Sequence, residues 1–310
     1  MQSIHNDAVI QGAYVSLEQL LSLRHQPDHA SSAHSKVVGN RAGQKLSKIK
    51  GRGVDFAEVR PYQPGDDIRA IDWRVTARKN KPHTKIFREE RERPTIIAVD
   101  QSQNMFFGSK VRLKSVTAAE LATRIAWQNL AAGDRVGGIV IGNHDQALHK
   151  PYRTTKSVAR FLHDISRFNN QLSNSLATLS ANELAQNMNE GMLRIRRLSR
   201  NNYRIFVISD FAYSLTFWQE HLHQLARHNQ VVLVHVYDPL EEELPPTDHY
   251  AVTDGQDRLQ FYSGDRQLRD KYRQRHAKRI QALQEICLHD AMSYIAVRTE
   301  TSQLQNMSWV

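Results

Sequence analysis

Cysteine is almost absent: Cys287 is the only one in 310 residues. A single thiol excludes an intramolecular disulfide and a multi-cysteine zinc site. Long apolar runs are also missing, and none approaches the ~18–20 residues that cross a bilayer. The opening MQSIHNDAVIQGAYVSLEQL has no basic start followed by an apolar core. No export signal is therefore expected, and a cytoplasmic location follows. There is no G-x-x-x-x-G-K-[ST] phosphate loop, no G-x-S-x-G elbow and no H-E-x-x-H helix. Gly51-Arg52-Gly53 begins a glycine pattern, but Phe56 stands where its third glycine belongs. The 15 histidines are scattered. His221 and His223, two apart, point to different helix faces and cannot jointly hold a metal. No nucleophile, base and oxyanion site assembles from these residues, so a non-catalytic protein is expected.

What is present is the composition of a globular protein, 40% hydrophobic and 24% charged, long enough for one large domain and a smaller module. The net charge is +10. Residues 39–93 carry 15 Lys/Arg against 8 Asp/Glu, and Arg266 to Arg279 form a second basic run with the spacing of a helix surface. A nucleic-acid-binding protein is the alternative reading of this excess. In residues 39–93, however, acids alternate with bases, which favours internal ion pairing over a bare phosphate-binding face.

Along the chain, Ser16 and Gln19 form a capping box for a short helix, stapled by Val15 and Leu20. Residues 26–50 read as a polar connection. From residue 95 the pattern changes. TIIAVD (95–100), RVGGIVIG (135–142), YRIFVISDF (203–211) and VVLVHVYD (231–238) are buried β-branched strands, and YIAVRTE (294–300) closes the series. ALHKPY (147–152) is an edge strand because of Pro151. Helices are expected over 110–131, 156–167, 181–199, 216–228 and 266–289, and Asp254-Gly255 marks a hairpin. This alternation predicts an α/β fold with a doubly wound, mostly parallel sheet of Rossmann-like type, preceded by a smaller β-rich module. Three parts are expected: an N-terminal helix and linker (1–38), the charged module (39–93) and the α/β domain (94–310). If the strand order is 3-2-1-4-5-6, Asp100 and Asp210 end neighbouring strands at the topological switch point, where ligands bind.

Asp100 opens the run Asp-Gln-Ser-Gln-Asn, so its carboxylate and the Ser102 hydroxyl can face one cation. Asp100, Ser102 and Asp210 would supply part of the oxygen shell that Mg²⁺ (or Mn²⁺) takes, directly or through water. The competing reading of such acids is that they cap helices or tie down loops. A phosphoryl-transfer Asp-x-Asp motif is excluded because position 102 is serine. In the charged module, Asp66, Asp67 and Asp72 alternate with arginines around Trp73 and read as a structural pairing network. Arg60, Arg69 and Trp73 are the candidate partner-binding residues there, since Arg and Trp are favoured interface anchors.

GRGVDFAEVRPYQPGDDIRAIDWRVTARKNKPHTKIFREERE (51–92), followed by IIAVDQSQNM and later VISDF, resembles the bacterial domain of unknown function 58 family, from about residue 36 onward. The resemblance implies a domain similar to von Willebrand factor A, with a metal-ion-dependent adhesion site of pattern Asp-x-Ser-x-Ser plus a distal Thr and Asp. Asp100, Ser102 and Asp210 match that pattern. Asn104 stands in place of the second serine; its amide oxygen can ligate magnesium, but from a longer side chain. Thr178 is the candidate distal threonine. The resemblance also implies an adaptor that works beside a MoxR-type AAA+ ATPase in complex assembly or a chaperone-like role.

Overall fold

The computed structural model describes residues 10–25, 54–89, 93–172, 180–253 and 258–300. Two compact units emerge: residues 34–92 form one, and residues 1–33 together with 93–310 form the other.

Helix α1 (Leu17–Ser22) carries the expected capping box of Ser16 and Gln19. It belongs to the larger unit, with Val15 and Leu20 fully buried there. In the smaller unit, β1 (Val54–Pro61) and β2 (His83–Glu89) pair antiparallel. The turn between them holds helix α2 (Trp73–Lys79), capped by Asp72, and a 3₁₀ turn capped by Asp67.

The larger unit is built on β3 (Thr95–Asp100), β4 (Val136–Ile141), β5 (Gln146–Tyr152), β6 (Arg204–Ser209) and β7 (Gln230–Tyr237). Beyond a hairpin of β8 (His249–Thr253) and β9 (Arg258–Tyr262), β10 (Ser293–Arg298) completes the sheet. The six central strands run in the order β10-β7-β6-β3-β4-β5. Counted along the chain, this is the expected 3-2-1-4-5-6 order, with all pairings parallel except that of β5. β5 is the edge strand, where Pro151 removes no ladder bond the sheet needs. The hairpin turn at Asp254-Gly255 lies outside the described residues.

Helices cover both faces, as buried parallel strands require. On one side α1, α3 (Lys114–Ala131) and α4 (Thr155–Gln171) pack through Leu20, Ile125 and Phe161. On the other, α5 (Ala181–Leu198), α6 (Leu215–Ala226) and α8 (Arg266–His289) pack through Met192, Trp218 and Leu283. The short α7 (Pro239–Glu242) follows β7. Gly138 lets α4 close on the sheet, because a Cβ there would meet the Phe161 ring at 2.6 Å. No helix among the described residues is long and apolar enough to cross a membrane.

Two of the boundaries that differ from expectation bear on the site. Helix α3 starts at Lys114 rather than 110, because the backbone N–H and hydroxyl of Ser109 donate to Asp238 and Gly12 bridges to Arg112. Strand β6 stops at Ser209, so Asp210 lies just beyond it. Phe211 follows in the left-handed region at φ 52°, which is uncommon for a bulky residue and turns the chain sharply.

Candidate functional site

Three parallel strands deliver an aspartate to the carboxyl edge of the sheet: Asp100 ends β3, Asp210 follows β6 and Asp238 follows β7. All three are buried. Their surroundings separate them. Asp238 accepts from the Ser109 amide and hydroxyl, the Leu240 amide and the Thr299 hydroxyl. Burial works against its charge, but these donors outweigh it and hold its carboxyl below the ordinary range. Asp238 is a structural tie between loops, with its lone pairs used.

Asp100 has fewer donors. One oxygen accepts from the Ser102 amide at 3.0 Å and the other from the Ser209 hydroxyl at 2.7 Å. Burial first, and the nearby Asp210 carboxylate second, push it up to about 6 against the opposing pull of Ser209 and of the Ser102 side chain and amide. The buried hydroxyls of Ser102 and Tyr213 make no hydrogen bond of good geometry, although Asp100 and Tyr213 lie within reach of Ser102. Tyr213 lies near Ser102 and Asn104, and burial followed by the charges of Asp100 and Asp210 raises it above the ordinary phenol range. Asn104 sits half-buried in the 3₁₀ turn Gln103–Met105. Asp100, Ser102, Asn104 and Asp210 therefore come together at the switch point between β3 and β6. Thr178 lies outside the described residues.

Lys114, the first residue of α3, joins this group. Its ammonium donates to Asp210 and to Glu241, both at 2.8 Å, and its side chain is only 2% exposed. Burial opposes its charge, but the Asp210 and Glu241 carboxylates prevail and keep it firmly protonated. A cation at a helix N-terminus is also placed against the macrodipole, which those carboxylates and the Phe107 ring, 5.8 Å from the ammonium, offset. Sequence reading missed Lys114, because a lysine opening a helix looks like any solvated one.

The loop carrying Ser102 is braced from several sides. The Gln101 side-chain amide donates to the Ser115 carbonyl, Asn169 donates to the Gln101 side-chain oxygen, and Asn169 in turn accepts from the Val15 amide. The N-terminal segment thus buttresses the site loop through α4. On the other side, the Arg279 guanidinium of α8 donates to the Phe211 and Tyr213 carbonyls, which fixes the bend after Asp210. His235, buried behind that bend, is pushed down to about 4 by burial and stays neutral.

Carboxylate, hydroxyl and amide oxygens are the hard donors that Mg²⁺ takes. An unpartnered buried hydroxyl beside a carboxylate whose ionisation is resisted fits a divalent cation at Asp100 and Ser102. Lys114 already covers one Asp210 oxygen and the Ala212 amide donates to the other at 3.0 Å, so Asp210 fits an outer role through water.

In the smaller unit the acids have structural partners. Asp66 pairs with Arg60 at 2.7 Å and accepts from the Gln63 amide. Asp72 accepts from the Arg74 and Val75 amides and pairs with Lys85. Arg60 is thereby engaged within its own unit. Arg69 is exposed, and Trp73 is 69% exposed. Of the basic run on α8, Arg269 and Arg273 pair with Glu243 and Arg279 serves the Phe211 bend.

The chain is 30% identical over 240 residues to the uncharacterized protein Rv1480 of Mycobacterium tuberculosis, covering 76% of this chain and 72% of that one. A counterpart in Mycobacterium bovis, the uncharacterized protein Mb1516, matches to the same extent. Among solved structures, the conserved hypothetical protein BatB from Bacteroides thetaiotaomicron aligns with a TM-score of 0.43 at 19% identity, over 66% of this chain and 90% of that one. The family model for DUF58, a protein of unknown function, matches residues 58–282. The chain belongs to the DUF58 family.

Proposed function

We infer that this is a non-catalytic adaptor whose switch-point crevice docks a partner protein through a divalent cation. The observation that carries this reading is the pairing of a strained buried carboxylate, Asp100, with the unpartnered Ser102 hydroxyl beside Asp210. Asp100 and Ser102 would hold Mg²⁺ directly, Asn104 and Asp210 would support it, and the ion would leave a coordination position for an acidic side chain of the partner. This is the logic of a metal-ion-dependent adhesion site on a von Willebrand factor A-like domain, with Asn104 as its departure. Lys114 makes the site tolerable without the ion by neutralising Asp210.

The partner class comes from the family resemblance: a MoxR-type AAA+ ATPase, in complex assembly or a chaperone-like role. Exposed Arg69 and Trp73 offer a second contact surface. Pull-down of a MoxR-type ATPase from the same organism by the full chain in Mg²⁺ tests the reading. Capture by the wild type that is lost in Asp100→Ala and in chelator supports it; equal capture by the variant removes the crevice from the interaction.

A further inference from the structure

We propose that His223, His289 and Asp290 form a second metal site, selective for borderline transition-metal ions of the Zn²⁺ class, that clips the end of α6 to the end of α8. The Nδ1 atoms of His223 and His289 both approach one oxygen of Asp290, at 2.8 and 3.0 Å. One ligand atom from each residue lies within 4.8 Å of the other two. In a tetrahedral site with bonds of ~2.0–2.1 Å, ligand atoms sit roughly 3.3 Å apart. Two of the three separations therefore need to widen by only a few tenths of an ångström. The imidazoles are free to make that adjustment, being 50% and 77% exposed, while Asp290 is anchored at 9%.

The surroundings favour a cation. His223 lies in the last turn of α6 and His289 ends α8, and each is the only basic residue in its last turn. Both helices thus present their negative ends to this point, which favours positive charge. Asp290 caps α8, and Ala291 turns the chain in the left-handed region at φ 54°. Two imidazoles and one carboxylate select Zn²⁺, Co²⁺ or Ni²⁺ over Mg²⁺, which prefers oxygen ligands and octahedral geometry. Cys287 lies nearby in the last turn of α8 but is buried. The two exposed imidazoles leave the fourth position facing solvent, open to water or to a donor from a bound protein. His221, although adjacent in sequence, is buried on the other side of α6 and takes no part. The site is separate from the Asp100 crevice in both residues and donor chemistry.

The test is titration of the tag-free full chain with Co²⁺ and Zn²⁺. With Mg²⁺ present to occupy the crevice, the wild type should give a visible Co²⁺ spectrum of tetrahedral intensity, saturating at one ion, that Zn²⁺ abolishes. His223→Gln and His289→Gln, both at exposed positions, should each weaken binding at least tenfold, and the double variant should lose the spectrum. A large excess of Mg²⁺, which fills oxygen sites but not imidazole ones, should leave the tetrahedral Co²⁺ spectrum unchanged, which separates this site from the crevice. Unaltered Co²⁺ binding in the double variant would mean capture by scattered histidines only and would overturn the proposal. So would the absence of any Co²⁺ spectrum in the wild type.

Discussion

Asp100→Asn should make the protein more stable, and only where Asp100 is ionised. The folded chain moves this carboxyl from its ordinary 3.8 to about 6. At ~1.4 kcal/mol per pKa unit, ionising it in place costs on the order of 3 kcal/mol. The sign follows from proton uptake. Between pH 4 and 6 the folded state holds a proton that the unfolded chain has released, so stability falls as pH rises through that window. Asparagine removes this slope while keeping the geometry: its oxygen can accept from the Ser102 amide, and the Ser209 hydroxyl can turn to accept from its nitrogen. In metal-free buffer the variant should match the wild type near pH 4. At pH 7.5 it should exceed it by ~1–3 kcal/mol, or roughly 3–10 °C in melting temperature for a unit of this size. Urea or thermal denaturation across pH 4–8 measures the gap. Adding Mg²⁺ should stabilise the wild type by mass action and leave the variant unmoved, so the gap narrows. An Asp100→Asn protein less stable than wild type at pH 7.5, or a gap constant across pH, would refute the reasoning.

Lys114→Met should destabilise by ~3–5 kcal/mol in chemical denaturation, because Asp210 is left buried without its cation; Mg²⁺ should recover part of the loss. Asn169→Ala should cost ~1–3 kcal/mol by leaving the Val15 amide and the Gln101 side chain unsatisfied, and hydrogen exchange at residues 101–105 should speed up. Gly138→Ala should cost ~1–3 kcal/mol from the clash with the Ile97 carbonyl and the Phe161 ring, read by urea midpoint. Trp73→Ala should change stability by less than ~0.5 kcal/mol, as exposed substitutions do, yet weaken capture of the ATPase in the same pull-down.

The architecture was legible because its strands are apolar, β-branched runs bounded by turn residues, and because Pro151 marks the edge. The 3-2-1-4-5-6 strand order then sets Asp100 beside Asp210. What local sequence does not carry is the difference between Asp100 and Asp238. Both end an apolar strand, but the donors that saturate Asp238 come from Ser109 and Thr299, 129 and 61 residues away. Lys114 was hidden for the same reason, since its carboxylates lie 96 and 127 residues downstream. The capped helix at Ser16 was readable, whereas its docking on Asn169 was not. Sequence spacing shows only that His223 and His221 cannot share a metal; the partners of His223 at the end of α8, His289 and Asp290, are 66 and 67 residues along the chain and meet it only through helix packing.

The cation in the crevice is tested most directly by anomalous diffraction from crystals soaked in Mn²⁺. A peak within coordination distance of Asp100 and the Ser102 hydroxyl, absent from Asp100→Asn crystals, is the predicted result. A crevice without anomalous density, with the Ser102 hydroxyl still unpartnered and Lys114 still on Asp210, would contradict it.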